Sequence, residues 1–183
     1  MYESDIEING KHATYLKYLA DKSSIFNRYI DVFMSAALVG VLNKKKSDKD
    51  LESKDRARIY ADVLIREKRH CNEIFKTVIL CDESKEWTDE QKLNICFRYR
   101  DNADGSSIPP VTEEEIKLMG EAKELFISYV LGGIEQIYND FSEDTDSMSV
   151  IKTSFKLVEN HKKYIECENN QYDDSQLLAE QYD

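Results

Sequence analysis

The segment Ser23–Asn43 reads SSIFNRYIDVFMSAALVGVLN, and its character decides the fold. From Val32 to Leu42 it is apolar nearly all round. A helix of that kind offers no face to water and belongs at the centre of a helical domain. Ala36, Ala37 and Gly40 carry small side chains that let neighbouring helices come close. The run is too short to cross a bilayer: the 12 uncharged residues between Asp31 and Lys44 make about 18 Å of helix, against roughly 30 Å of hydrocarbon. It is therefore expected to be a buried core helix capped by Ser23 or Ser24.

Around this helix the chain is sparsely punctuated. Its 183 residues include only 6 Gly and 2 Pro, which disfavours an all-β fold with its many turns. The expectation is an all-α, single-domain bundle of five or six helices over residues 1–168, followed by an acidic, flexible tail over 169–183. Asp5–Ile8 admits a short extended piece, and Asn9–Gly10 is a turn signal. Tyr15, Leu16, Tyr18 and Leu19 mark a first helix over 11–21. A long helix is expected over 54–81, with Tyr60, Val63, Leu64, Cys71, Ile74, Phe75 and Val78 on its inner stripe. Its last turns, 73–81, are rich in β-branched residues, and taken alone they also fit a strand.

Two capping boxes mark later helix starts: Thr88 with Gln91, and Thr112 with Glu115. The first opens a helix expected to turn Leu93, Cys96 and Phe97 inward. Between the two boxes, RDNADGSSIPPV over 100–111 reads as a loop. The second box opens a helix reaching Phe141, expected to be the chief neighbour of the central one. Gly132 and Gly133 interrupt it at a cost of roughly 1 kcal/mol each relative to alanine, and a close helix crossing is the commonest reason for such a pair. A last helix is expected over 147–168.

Chemistry-bearing motifs are scarce. Glu67-x-x-His70 has the spacing of half a di-iron site, but no second copy of the motif accompanies it. The cysteines at 71, 81, 96 and 167 form no CxxC pair and lack zinc-ligand spacing. Neither GxxxxGK[ST] nor GxGxxG occurs. No cofactor, metal or catalytic residue is therefore assigned, and an enzyme with an unrecognised site ranks last among the functions considered.

Charge is the informative asymmetry. Residues 43–70 carry ten Lys/Arg against six Asp/Glu, while 101–183 carry six against nineteen, within a chain of net charge −11. Lys44, Lys45, Lys46, Arg56, Arg58, Arg66 and Arg69 are the candidate contacts to an acidic partner or to phosphate. The whole-chain charge works against nonspecific nucleic-acid binding. Eleven tyrosines favour protein interfaces, where one end of the side chain is dry and the other wet. With no signal-peptide pattern at the N-terminus and with cysteines that read as reduced thiols, the sequence points to a cytoplasmic, non-catalytic adaptor. Its expected partner is another protein or a second copy of itself, and no membrane is involved. The alternative is a nucleic-acid-associated module acting through 43–70.

Overall fold

A computed structural model describes residues 4–23, 25–50, 52–98, 112–144 and 146–169, and of 147, 161 and 163–169 the backbone alone. The loop expected over 100–111 and, from 170 on, the tail expected over 169–183 lie outside the described residues, as does Ser24. The chain divides into two compact units, Met1–Ser142 and Glu143–Asp183. The fold is predominantly helical, as the sparse glycine and proline imply, with seven α-helices and one two-stranded sheet among the described residues.

The first unit begins with strand β1 (Ile6–Asn9), which pairs antiparallel with β2 (Arg56–Ile59). Both strands alternate as the two-residue period of a half-buried sheet requires. Ile8, Ala57 and Ile59 turn inward and are buried, while Glu7 stands opposite Arg58 on the other face. Because Arg56–Ile59 is a strand, the long helix expected over 54–81 is three pieces. After β2 come α3 (Ala61–Arg66) and α4 (Lys68–Cys81), separated at Glu67 by a non-helical backbone (φ −94°, ψ 10°). At the start of α3 the Asp5 carboxylate, just before β1, accepts the first amide of the helix, that of Ala61, at 2.8 Å. The β-branched stretch 73–81 is helix.

Helix α1 (Lys11–Lys17) runs on as a π-helical turn through Lys22. It starts at Gly10, whose φ of 67° lies in the left-handed region that favours glycine. A remote residue caps it, with Asp50 accepting the Lys11 amide at 2.8 Å. The central helix α2 spans Tyr29–Leu42, not 23–43. Arg28 is extended and closes its N-terminus, with its guanidinium shared between Asp31 and Glu67. Asp31 in the first turn also complements the positive end of the helix dipole. Nor is α2 buried all round, since Leu38 and Leu42 are exposed.

The Thr88 capping box opens α5 (Asp89–Leu93), which continues as a π-helical turn through Arg98. Of the three residues expected inward there, only Cys96 is buried; Leu93 and Phe97 are exposed. The Thr112 box opens α6 (Glu113–Phe141) as its spacing predicts. Side chain and backbone exchange hydrogen bonds with Glu115 at 3.2 and 3.1 Å. Ile116 in the first turn is exposed, so the inward stripe of α6 starts a turn later than expected.

Helices α2 and α6 make the largest helix–helix contact of the unit. They approach closely enough that a Cβ added at Gly133 would overlap the Ala36 carbonyl, and one at Gly40 the Tyr129 carbonyl. Phe126 joins the two sides of the core, meeting Phe33 of α2 at 5.7 Å and Phe75 of α4 at 5.4 Å, both edge-on. Such pairs contribute about 0.5–1.5 kcal/mol beyond their buried area.

The second unit contributes α7 (Ser147–Asn169). Asp146 caps it, one carboxylate oxygen accepting the amides of Met148 at 2.8 Å and Ser149 at 3.0 Å. Among the described residues of the chain, no helix is long and apolar enough to cross a membrane.

The helix crossing yields a paired prediction. Gly133→Ala drives a methyl into backbone and should destabilise the fold by roughly 1–3 kcal/mol, the usual range for overpacking. Gly120→Ala meets nothing within 4 Å and should stabilise by about 0.5–1 kcal/mol through helix propensity. Urea midpoints moving in opposite directions are the expected result.

Candidate functional site

The structure disperses the seven basic candidates. Arg56 and Arg58 lie on β2 and face Glu7 of β1, with Arg58 reaching Asp5 as well. Arg66 pairs with Asp62 one turn back at 2.8 Å. Asp62 does not bridge Arg66 to Arg58, because the helix that would have aligned them is broken at Tyr60. Arg69 acts electrostatically on Glu73. The three lysines follow α2: Lys44 pairs with Glu83 at 2.9 Å and Lys46 donates to Ser84 at 2.7 Å, both just past the end of α4, while Lys45 donates to Gln136 of α6. These cations therefore belong to different corners, and most are engaged with the chain's own acids and polar groups.

The Glu67–His70 pair is likewise internal. Its two side chains meet at 3.1 Å, and Glu67 also holds Arg28 at 2.8 Å. The His70 and Arg28 contacts together hold the Glu67 carboxyl below its usual range. Among the described residues no group of three His, Cys, Asp or Glu is arranged to hold a metal.

Two buried polar clusters carry more chemistry than any of these. One closes the end of α4. Asp82 is fully buried and accepts hydrogen bonds from the Tyr129 hydroxyl at 2.6 Å, the Ser84 hydroxyl at 2.7 Å and the Lys85 amide at 3.0 Å. Burial pushes the Asp82 carboxyl upward, yet these donors outweigh it and hold the group ionised. Burial and the anionic partner together raise the Tyr129 hydroxyl to about 12. Lys46 stands over the Tyr129 ring, 5.6 Å from its centroid, so this candidate phosphate contact serves an internal cluster.

The other cluster joins α1, the segment after α2, and α6. A single carboxylate oxygen of Glu135 accepts from Lys11 at 2.8 Å, His12 Nε2 at 2.8 Å and Ser47 at 2.7 Å. Burial pushes Glu135 upward, and the three donors reverse the effect and hold it near 2. His12 has no exposed surface. Desolvation lowers its pKa and prevails over the bond to Glu135, which raises it. The imidazole is thus neutral near pH 7, with its proton on Nε2, where the ionised carboxylate requires a donor. That leaves Nδ1 as an acceptor with no hydrogen-bond partner among the described residues.

His12 also borders a partly open pocket of about 190 Å³ lined by residues of β1, α1, α2 and α6, with Glu7 and Lys49 among them. Its walls are mainly apolar, formed by Ile6 and Ile8 of β1, Phe33 of α2, and Ile127, Val130 and Leu131 of α6. Asn9 lines it too, and its side-chain oxygen is another buried acceptor without a partner among the described residues. Comparison with protein-family models, curated proteins and solved structures yields no match, so the functional argument rests on this geometry.

Sequence reasoning passed over His12, Asn9, Ser47 and Glu135. A signal existed for two of them. His12 is in phase with Leu16 and Leu19 on the buried face of its helix, and Glu135 interrupts the apolar run Leu125–Ile137. Nothing in the sequence joins them across 123 positions.

Two measurements check these clusters. Because the folded-state pKa of His12 lies below its ordinary 6.5, the unfolded chain binds the extra proton first as the solution is acidified. Stability should be flat above about pH 7 and fall as pH drops below about 6.5. Thermal melts should show that slope in the wild type and a flatter profile in His12→Gln. Separately, Tyr129→Phe strips buried Asp82 of one donor and should cost roughly 1–3 kcal/mol, read as a lower urea midpoint.

Proposed function

We propose that this chain is a cytoplasmic, non-catalytic interaction protein that captures a helical protein partner through α7. The supporting observation is the face this helix presents. Met148, Ile151, Phe155 and Val158 recur at spacings of three and four residues and are all exposed, Phe155 at 70%. That spacing is the seam of helix-on-helix association. An isolated helix of this length is marginal in water, and most of its stability comes from packing an apolar face. Within its own unit, α7 is the only described element, so a partner's helix is the natural cover.

Two further facts favour this function over nucleic-acid binding. The basic residues of 43–70 are largely engaged with Glu7, Asp5, Asp62, Glu83 and internal hydrogen bonds, and the chain carries a net charge of −11. Phosphate would have to compete with every one of those carboxylates. For the compartment, the support is that Cys71, Cys81 and Cys96 are free thiols, which suits a reducing environment.

The test is affinity capture from the native host with wild type and with Ile151→Asp/Phe155→Asp. A discrete protein retained by wild type and lost from the double variant is the expected result, with the urea midpoint of the fold the same in both. Equal retention by both would contradict the role of α7. Salt-sensitive retention of nucleic acid by both would favour the phosphate-binding alternative.

A further inference from the structure

Strand β1 is paired on one side. Among the described residues the sheet has two strands, so β1 turns one edge to β2 and leaves the other open. The register says which groups the open edge carries. Gly10 donates its amide to the Asp55 carbonyl at 2.9 Å, one step beyond the pairing of Asn9 with Arg56. Bonded and non-bonded pairs alternate along an antiparallel ladder. Ile8–Ala57 and Ile6–Ile59 are therefore the bonded pairs, and the amides and carbonyls of Glu7 and Asn9 point away from β2. None of these four groups has a hydrogen-bond partner among the described residues. Burial would orphan such groups, and Glu7 is exposed. The partly open pocket runs along this edge: all four residues of β1 line it, whereas a hollow beneath one face would meet only every second residue. Phe33, Ile127 and Leu131 supply its apolar wall.

We infer that the open edge of β1 is a docking site for an extended, basic peptide segment of a partner protein. The segment adds as a third strand, bonds to the main-chain groups of Glu7 and Asn9, and places an apolar side chain in the pocket. An unpaired strand edge is a template for another strand, and edge hydrogen bonds beside a side-chain pocket are how extended peptides are recognised. Charge makes the segment basic. An adjoining hollow shares Lys49, Ile127 and Leu131 with the pocket, and together the two are lined by Glu7, Asp48 and Glu124 against Lys49. Asp48 and Glu124 are exposed and form no ion pair among the described residues. A second copy of the chain fits less well, because β1 against β1 would bring the same acids together between chains of net charge −11, and like charges across a ladder destabilise it. The site is independent of α7 and stands or falls separately from the adaptor function.

The full chain is used to select from a displayed library of random peptides, and the enriched peptides are synthesised and titrated into ¹⁵N-labelled protein. Enriched sequences should alternate apolar and polar residues, carry more Lys and Arg than Asp and Glu, and hold no Pro in the alternating stretch. On binding, the Glu7 and Asn9 amide resonances should move downfield, as a newly donated hydrogen bond requires. Those of Ile6 and Ile8, already donated to β2, should move less. Glu7→Pro takes a donor from the open edge and none from the ladder, a position where strands tolerate proline. It should weaken binding about tenfold, and its urea midpoint reports whether the fold holds. Asp48→Lys/Glu124→Lys changes exposed positions alone and should also weaken binding about tenfold. Ile151→Asp/Phe155→Asp should bind the same peptides as wild type does. The inference is overturned by a selection without enrichment, by enriched peptides that leave the Glu7 and Asn9 amides unmoved, or by undiminished binding to either folded variant of this site. A dimer in sedimentation that Glu7→Pro dissolves would overturn it too, by making a second copy the occupant.

Discussion

The close approach of α2 and α6 is the constraint on which the first unit depends. Gly133 lies against the Ala36 carbonyl and Gly40 against the Tyr129 carbonyl, so the contact is backbone on backbone from both sides. Gly132 adds a third approach, to the backbone of Lys45 and Lys46. The third fixes where the chain leaves α2. Side chains of ordinary size would hold the helices roughly 8–10 Å apart, and glycine removes that spacer. The entropic cost of glycine in mid-helix is offset by the dispersion contacts that close packing brings.

The polar clusters follow from that approach. Tyr129, beside the Gly40 contact, is positioned to reach Asp82 at the end of α4. Glu135, two residues after Gly133, meets Ser47 on the segment leaving α2 and His12 on α1. Asp82 is buried and Glu135 half-buried, and each stays ionised because it accepts three hydrogen bonds. The pocket beside β1 lies next to this second cluster and shares His12 with it. One helix, α6, thus positions the core, both polar clusters and a wall of the pocket.

Much of this was legible in the sequence, for reasons that can be named. The apolar run after Asp31, the two capping boxes and the Gly132–Gly133 pair are local signals, and each has a local physical cause. The central helix, the long sixth helix and their crossing follow from them. Elements decided by partners distant in sequence were not legible. Arg56–Ile59 has a helix-compatible composition and becomes a strand because Ile6–Asn9 is there to pair with it. The helix beginning at Tyr29 starts late because Arg28 is drawn toward Glu67, 39 positions away. The basic residues looked like a surface in the sequence because their counter-charges, Glu7 and Glu83 above all, lie far along the chain. The Glu135 cluster was hidden for the same reason.

If the α2–α6 contact organises the unit, its amides should open last. Native-state hydrogen exchange measures this directly, residue by residue. Amides of α2 from Phe33 to Gly40 and of α6 from Tyr129 to Ile137 should share the slowest class and exchange only by global unfolding, with α3 and α5 opening at lower free energy. Maximum protection in the β1–β2 pair or in α4, with α2 and α6 exchanging through smaller openings, would contradict the central place given to that contact.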